Sequence, residues 1–142
     1  MLNEQVALFR VDGRTNLALI DAARAASPRE ACGALVGELG SDGSTRVWDV
    51  VPLSNRAAAA QREYLITADQ VRAIGTAAQA RGLEVVGFYH SHPNGGTSPS
   101  ATDLERAWPG YVYAIVDPLS SAVAFWVLEE DRTSFRQLNG HP

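Results

Sequence analysis

No lysine occurs in the 142 residues; all 12 basic residues are arginines. That bias fits an alanine- and arginine-rich proteome. Cysteine is nearly absent as well. Cys32 stands alone, so an internal disulfide is excluded, and so is a thiolate zinc site built on a cysteine pair. No apolar run approaches the ~18 residues that a membrane span requires. The first residues, Met1-Leu2-Asn3-Glu4-Gln5, lack a basic segment followed by a long apolar one, so no signal peptide is expected. A cytoplasmic protein is the expectation. There is no excess of positive charge either. A net charge of -4 and a pI near 5.3 argue against a nucleic-acid footprint.

What is present fits one domain over residues 1–142, long enough to enclose a full core. Val6 to Val11 reads as a first strand. Leu17, Leu19, Ile20, Ala23 and Ala26 have helical spacing, and Ser27-Pro28 marks the stop. Ala31 to Val36 is an apolar run closed by Gly37. A turn at Gly40 to Ser44 joins it to a partner strand, Thr45 to Leu53. Arg62 to Ile66 reads as another strand. Thr67-Ala68-Asp69 starts a helix that runs to about Arg81 and ends at Gly82. Glu84 to His90 is apolar almost throughout and predicts a central strand. A short helix follows from Ser100 to about Trp108. Tyr111 to Val116 and Ala122 to Leu128 form a meander, and Thr133 to Leu138 a last edge strand. This mixed order predicts an α/β sandwich with a mixed sheet rather than a regular doubly wound fold.

The chemistry concentrates in residues 90–103. His90 and His92 stand at i and i+2 at the end of the apolar strand, so both imidazoles share one face. The third histidine, His141, is next to last and is expected to fray. Ser100 and Asp103 follow after a loop holding Pro93, Asn94, Gly95, Gly96 and Pro99. Two imidazoles and a carboxylate form a common catalytic zinc set, because they leave a coordination position for water. Each pair also has a plainer reading. His-x-His at a strand end can pair with carboxylates, and Ser-x-x-Asp before a helix is a capping box. A hydrolytic zinc site also needs a base, and residues 90–103 supply none between the histidines. Glu30, at the mouth of the strand that contains Cys32 and Gly33, is the candidate; alternatively it is a solvated strand end.

Taken together, Pro28-x-Glu30-x-Cys32-Gly33, then His90-x-His92-Pro93, then Ser100-x-x-Asp103 resembles the signature of JAMM (MPN-plus) zinc metalloproteases of the compact prokaryotic type. The resemblance implies an MPN-type, cytidine-deaminase-like fold: a mixed β-sheet flanked by helices in a three-layer sandwich. It implies one Zn2+ ion with a bound water, held by His90, His92 and Asp103. Glu30 would be the general base and Ser100 the oxyanion stabiliser. The implied reaction is hydrolysis of a peptide or isopeptide bond after the C-terminal Gly-Gly of a ubiquitin-like or β-grasp sulfur-carrier protein. A homodimer is compatible with the sheet edges expected here. The alternative is a non-catalytic MPN-type module that binds a β-grasp partner.

Overall fold

The computed structural model describes residues 8–141. Among them, eight strands form a single sheet in the order β7-β6-β5-β4-β2-β3-β1-β8. These are β1 (Phe9–Arg10), β2 (Cys32–Leu39), β3 (Thr45–Leu53), β4 (Glu84–Ser91), β5 (Val112–Asp117), β6 (Ala122–Leu128), β7 (Phe135–Leu138) and β8 (Gly140–His141). Three helices flank it: α1 (Gly13–Ala26), α2 (Ala68–Ala80) and α3 (Ala101–Arg106). None is long and apolar enough to cross a membrane.

Local chemistry explains the helix ends. Asp12 caps α1 by accepting from Thr15 N at 2.9 Å. Thr67 and Gln70 form a capping box on α2, and Gly82 follows its end with φ 73°. Both helices therefore lie close to their expected places. The strand expected at 62–66 is not one. Asn55 gathers this segment as a loop, donating to the carbonyls of Glu30 (3.1 Å) and Glu63 (3.0 Å) and accepting from Leu65 N (3.1 Å). A side chain thus satisfies backbone groups that a ladder would otherwise take. His141 does not fray: β8 pairs in parallel with β1, and Val11 N donates to His141 O at 2.7 Å. Of the first strand expected over 6–11, residues 6 and 7 lie outside the described part.

The sheet is mixed. β4 runs antiparallel to β2 and parallel to β5. β7 ends at Leu138 and β8 begins at Gly140 on the other side of the sheet. The sheet therefore curls until its two edges approach each other. Phe9 of β1 touches Phe125 of β6, with ring centroids 4.8 Å apart.

Alternation along the strands divides the core into two layers. Leu35, Tyr89 and Ala114 pack with Leu19 and Ala23 of α1. Ala34, Phe88 and Tyr113 pack on the opposite face with Val71 and Ile74 of α2 and Leu104 of α3. This gives the expected three layers, helix, sheet, helices. Burying each large side chain is worth roughly 1.5–3 kcal/mol. One irregularity sets the register. The pairing shifts between Leu35/Val36, so that Leu35 faces Gly87 and Val36 faces Val85. Val86 is the extra residue of a β-bulge. Beyond it, Phe88 and His90 share the face covered by α2 and α3.

Candidate metal centre

His90 lies in the buried part of β4, and its neighbours are placed by register. Cys32 of β2 lies opposite His90. Extending that antiparallel register by two residues sets Glu30 opposite His92. Ser91 locks the alignment: its N–H donates to Ala31 O at 3.0 Å and its Oγ accepts from Ala31 N at 2.8 Å. Residues opposite each other in antiparallel strands share a face. Glu30, His90 and His92 therefore stand on the face that α3 covers.

Asp103 reaches this face from the first turn of α3. Its Oδ1 lies 3.1 Å from His90 Nε2 and its Oδ2 lies 3.3 Å from His92 Nε2. Oδ2 also accepts from Ser100 N at 2.8 Å, while Ser100 Oγ accepts from Asp103 N at 3.0 Å. The capping box and the three-residue cluster are thus one arrangement. The two readings of Ser-x-x-Asp coexist, because one carboxylate has enough lone pairs for both.

His90 is fully buried, yet neither ring nitrogen has an aligned hydrogen-bond partner. Buried polar atoms are seldom left so. One donor atom from each of His90, His92 and Asp103 can be chosen so that all three lie within 4.8 Å of one another. Among the described residues this is a group that can hold a metal ion. Two neutral imidazoles and a carboxylate are a suitable donor set for zinc.

At His90 the electrostatics agree with that composition. Burial holds the His90 imidazole below its ordinary pKa, favouring the neutral form that can ligate. The hydrogen bond to Asp103 raises that of His92. Burial works to raise the Asp103 carboxyl, but the two imidazoles and the Ser100 N–H outweigh it and hold it far below the usual range. Glu30 behaves differently. Burial pushes its carboxyl up to about 7, helped by Asp103 and Glu63 and opposed by His92 and Arg106. A carboxyl titrating near neutrality beside a candidate metal centre is suited to moving protons.

A family model described as prokaryotic homologs of the JAB domain matches residues 14–134. The chain belongs to this family. It is 43% identical over 114 residues to the desampylase of Haloferax volcanii, covering 79% of this chain and 77% of that protein. It is 31% identical over 124 residues to 26S proteasome non-ATPase regulatory subunit 14 of Dictyostelium discoideum, covering 82% of this chain. It spans only 40% of that longer relative. A solution structure of a Salinibacter ruber protein matches with TM-score 0.72 and 35% identity, covering 95% of this chain and 92% of the other. One from Desulfitobacterium hafniense matches at TM-score 0.82 and 23% identity over 94% and 92% of the two chains, which speaks to the fold alone. The expected enzyme class, a JAMM-type hydrolase of the isopeptidase kind, stands with these relatives.

Four further residues shape this JAB-domain site, and none carries a spacing signature. Tyr64 stacks on His90, with ring centroids 4.4 Å apart and planes 18° from parallel. Arg106 of α3 holds the Tyr64 segment by donating to Tyr64 O at 3.2 Å and approaching Glu63 Oε2 at 3.6 Å. Tyr64, Leu65, Ile66, Phe88 and Trp108 line a groove of about 460 Å³ beside the centre. Asn55 supports the Glu30 backbone, as described above. Asp117, at the end of β5, accepts from Gly96 N at 2.9 Å in the loop between the histidines and α3. An asparagine or aspartate flanking a predicted strand is a weak hint of such bridging.

Proposed function

We propose that this JAB-domain protein is a zinc-dependent peptidase or isopeptidase. It hydrolyses the bond that follows the C-terminal Gly-Gly of a ubiquitin-like or sulfur-carrier protein. His90, His92 and Asp103 hold the metal, Glu30 is the general base, and Ser100 stabilises the oxyanion. The observation that carries this reading is the convergence of three ligand-type side chains and one buried carboxyl raised to about 7 on a single sheet face. The bland alternative, a binding module, has no use for a proton-accepting Glu30 at that place.

When bound, zinc supplies a water acidified from about 16 to around 7 and an electrophile for the substrate carbonyl. Glu30 accepts the proton of the attacking water and delivers it to the leaving amine. Ser100 Oγ already accepts from Asp103 N, and its own hydroxyl hydrogen is available for the oxygen that gains charge. Cys32 is not required as a nucleophile; burial, and then the Glu30 charge, push its thiol up to about 11. The named relatives, a desampylase and proteasome subunits, support a ubiquitin-like substrate. The groove lined by Tyr64 and Trp108 offers an extended tail an apolar wall next to the metal.

The test is a pull-down with the Glu30→Gln variant, which keeps the ligands and removes the base. Recovery of a small protein ending in Gly-Gly, alone or conjugated, is the expected result. Its identity separates a modifier from a sulfur carrier. Recovery of unrelated peptides only would sink the ubiquitin-like substrate.

A further inference from the structure

The ligands of the proposed centre come from two separate elements. His90 belongs to β4, where it is buried, and His92 is the residue that follows the strand. Asp103 belongs to α3, a helix of six residues none of which is buried. The backbone between His92 and Asp103 passes through Gly95 and Gly96, with φ of 100° and 94°. Such conformations are open to glycine. A contact from outside the loop would help to fix where Asp103 meets the histidines.

Asp117 is placed to do so. It follows Val116, whose carbonyl accepts from His92 N at 2.9 Å. Three aspartates here make the same local turn, accepting from the backbone two residues on: Asp42 from Ser44, Asp131 from Thr133, and Asp117 from Leu119. The first two make their side-chain hydrogen bonds within their own turns. Asp117 does not. Its Oδ1 takes the turn N–H groups of Leu119 (2.8 Å) and Ser120 (3.2 Å). Its Oδ2 takes Ser120 Oγ (2.8 Å) and, across to the other loop, Gly96 N (2.9 Å). The indole N–H of Trp126 on β6 adds a second point by donating to Thr97 O at 3.0 Å.

We infer that Asp117 is a positioning residue for the metal centre. It clasps the Gly95-Gly96 loop to the end of β5, with Trp126 beside it, and so preorganises Asp103 against His90 and His92. This rests on the metal-centre reading above. Partners that orient ligands without touching the metal are commonly worth 10- to 100-fold in affinity.

Asp117→Asn separates the clasp from the turn. An amide oxygen still accepts from Leu119 and Ser120, but an amide NH2 in place of Oδ2 meets the Gly96 N–H donor to donor. Zinc affinity is measured by competition with a chromophoric chelator, on wild type, Asp117→Asn and the turn control Asp42→Asn. We expect about tenfold or more weaker zinc binding in Asp117→Asn, restored occupancy in excess zinc, and wild-type affinity in Asp42→Asn. Wild-type affinity in Asp117→Asn would overturn the inference, as would equal losses in both variants. Should Asp117→Asn fail to fold, Trp126→Phe carries the same expectation in weaker form, and no change there overturns it. A wild-type chain that binds no zinc would instead overturn the metal-centre reading, and the inference with it.

Discussion

Glu30 shows how one side chain is given two demands. As a base it must be ionised, yet its burial favours the neutral form and raises it from 4.5 to about 7 without metal. Unfolding returns it to its ordinary value. Between about 4.5 and about 7 the unfolded chain therefore binds fewer protons than the native one, and stability falls as pH rises. Glu30→Gln removes that cost. We expect the metal-free variant to melt above wild type at pH 8, with the difference vanishing near pH 4; equal melting at both pH values would contradict the raised carboxyl. Tyr64 makes a second prediction at this scale. Its ring packs flat on His90, and an aromatic pair is worth about 0.5–1.5 kcal/mol. Tyr64→Ala should weaken zinc binding by up to about tenfold, while Tyr64→Phe should keep it; titration of both variants with zinc decides. His90, His92, Asp103, Glu30 and Ser100 were legible as candidates in the sequence because their spacing is short-range within each motif. Tyr64, Asn55 and Asp117 were not, because each acts on a partner far away in the chain through one stack or one backbone bond.

Among the elements, β4 is the platform and α3 the part that brings Asp103 to it. The strand was readable from its apolar run, but its bulge was not, since an extra residue changes no hydropathy pattern. Gly87 marks the place in retrospect. A Cβ there would lie 2.0 Å from Val112 O of β5. Backbone cannot yield as a side-chain tip can, so Gly87→Ala should cost 1–3 kcal/mol or more, lowering the thermal midpoint by several degrees. The segment over 62–66 was misread because Leu65 and Ile66 look like strand residues. Asn55 overrides that preference by taking the backbone groups itself. At α3, Ser100 serves as both cap and proposed oxyanion donor. Losing a cap costs about 0.5–2 kcal/mol of stability. Ser100→Ala should lose that much in melting experiments, and in addition about 10²–10³ in kcat with zinc still bound. A variant that loses stability alone would leave Ser100 a cap and nothing more.

For the whole molecule, the curled sheet brings distant stretches to one place. The approach to β2 delivers Glu30, β4 and the residue after it deliver the histidines, and the crossover from β4 to β5 delivers Asp103. The layer order followed from the mixed element order, whereas the curl did not, since it depends on the pairing of β8 with β1 through two residues each. The central claim is that the assembled residues hydrolyse a bond after Gly-Gly through a metal and Glu30. It is tested most directly by cleavage of a ubiquitin-like fusion linked through Gly-Gly, comparing wild type and Glu30→Gln at equal, measured zinc occupancy. We predict that the zinc-loaded wild type cuts after the second glycine and that Glu30→Gln is slower by about 10²–10⁴. Cleavage by Glu30→Gln at the wild-type rate, or none by the zinc-loaded wild type, would contradict it.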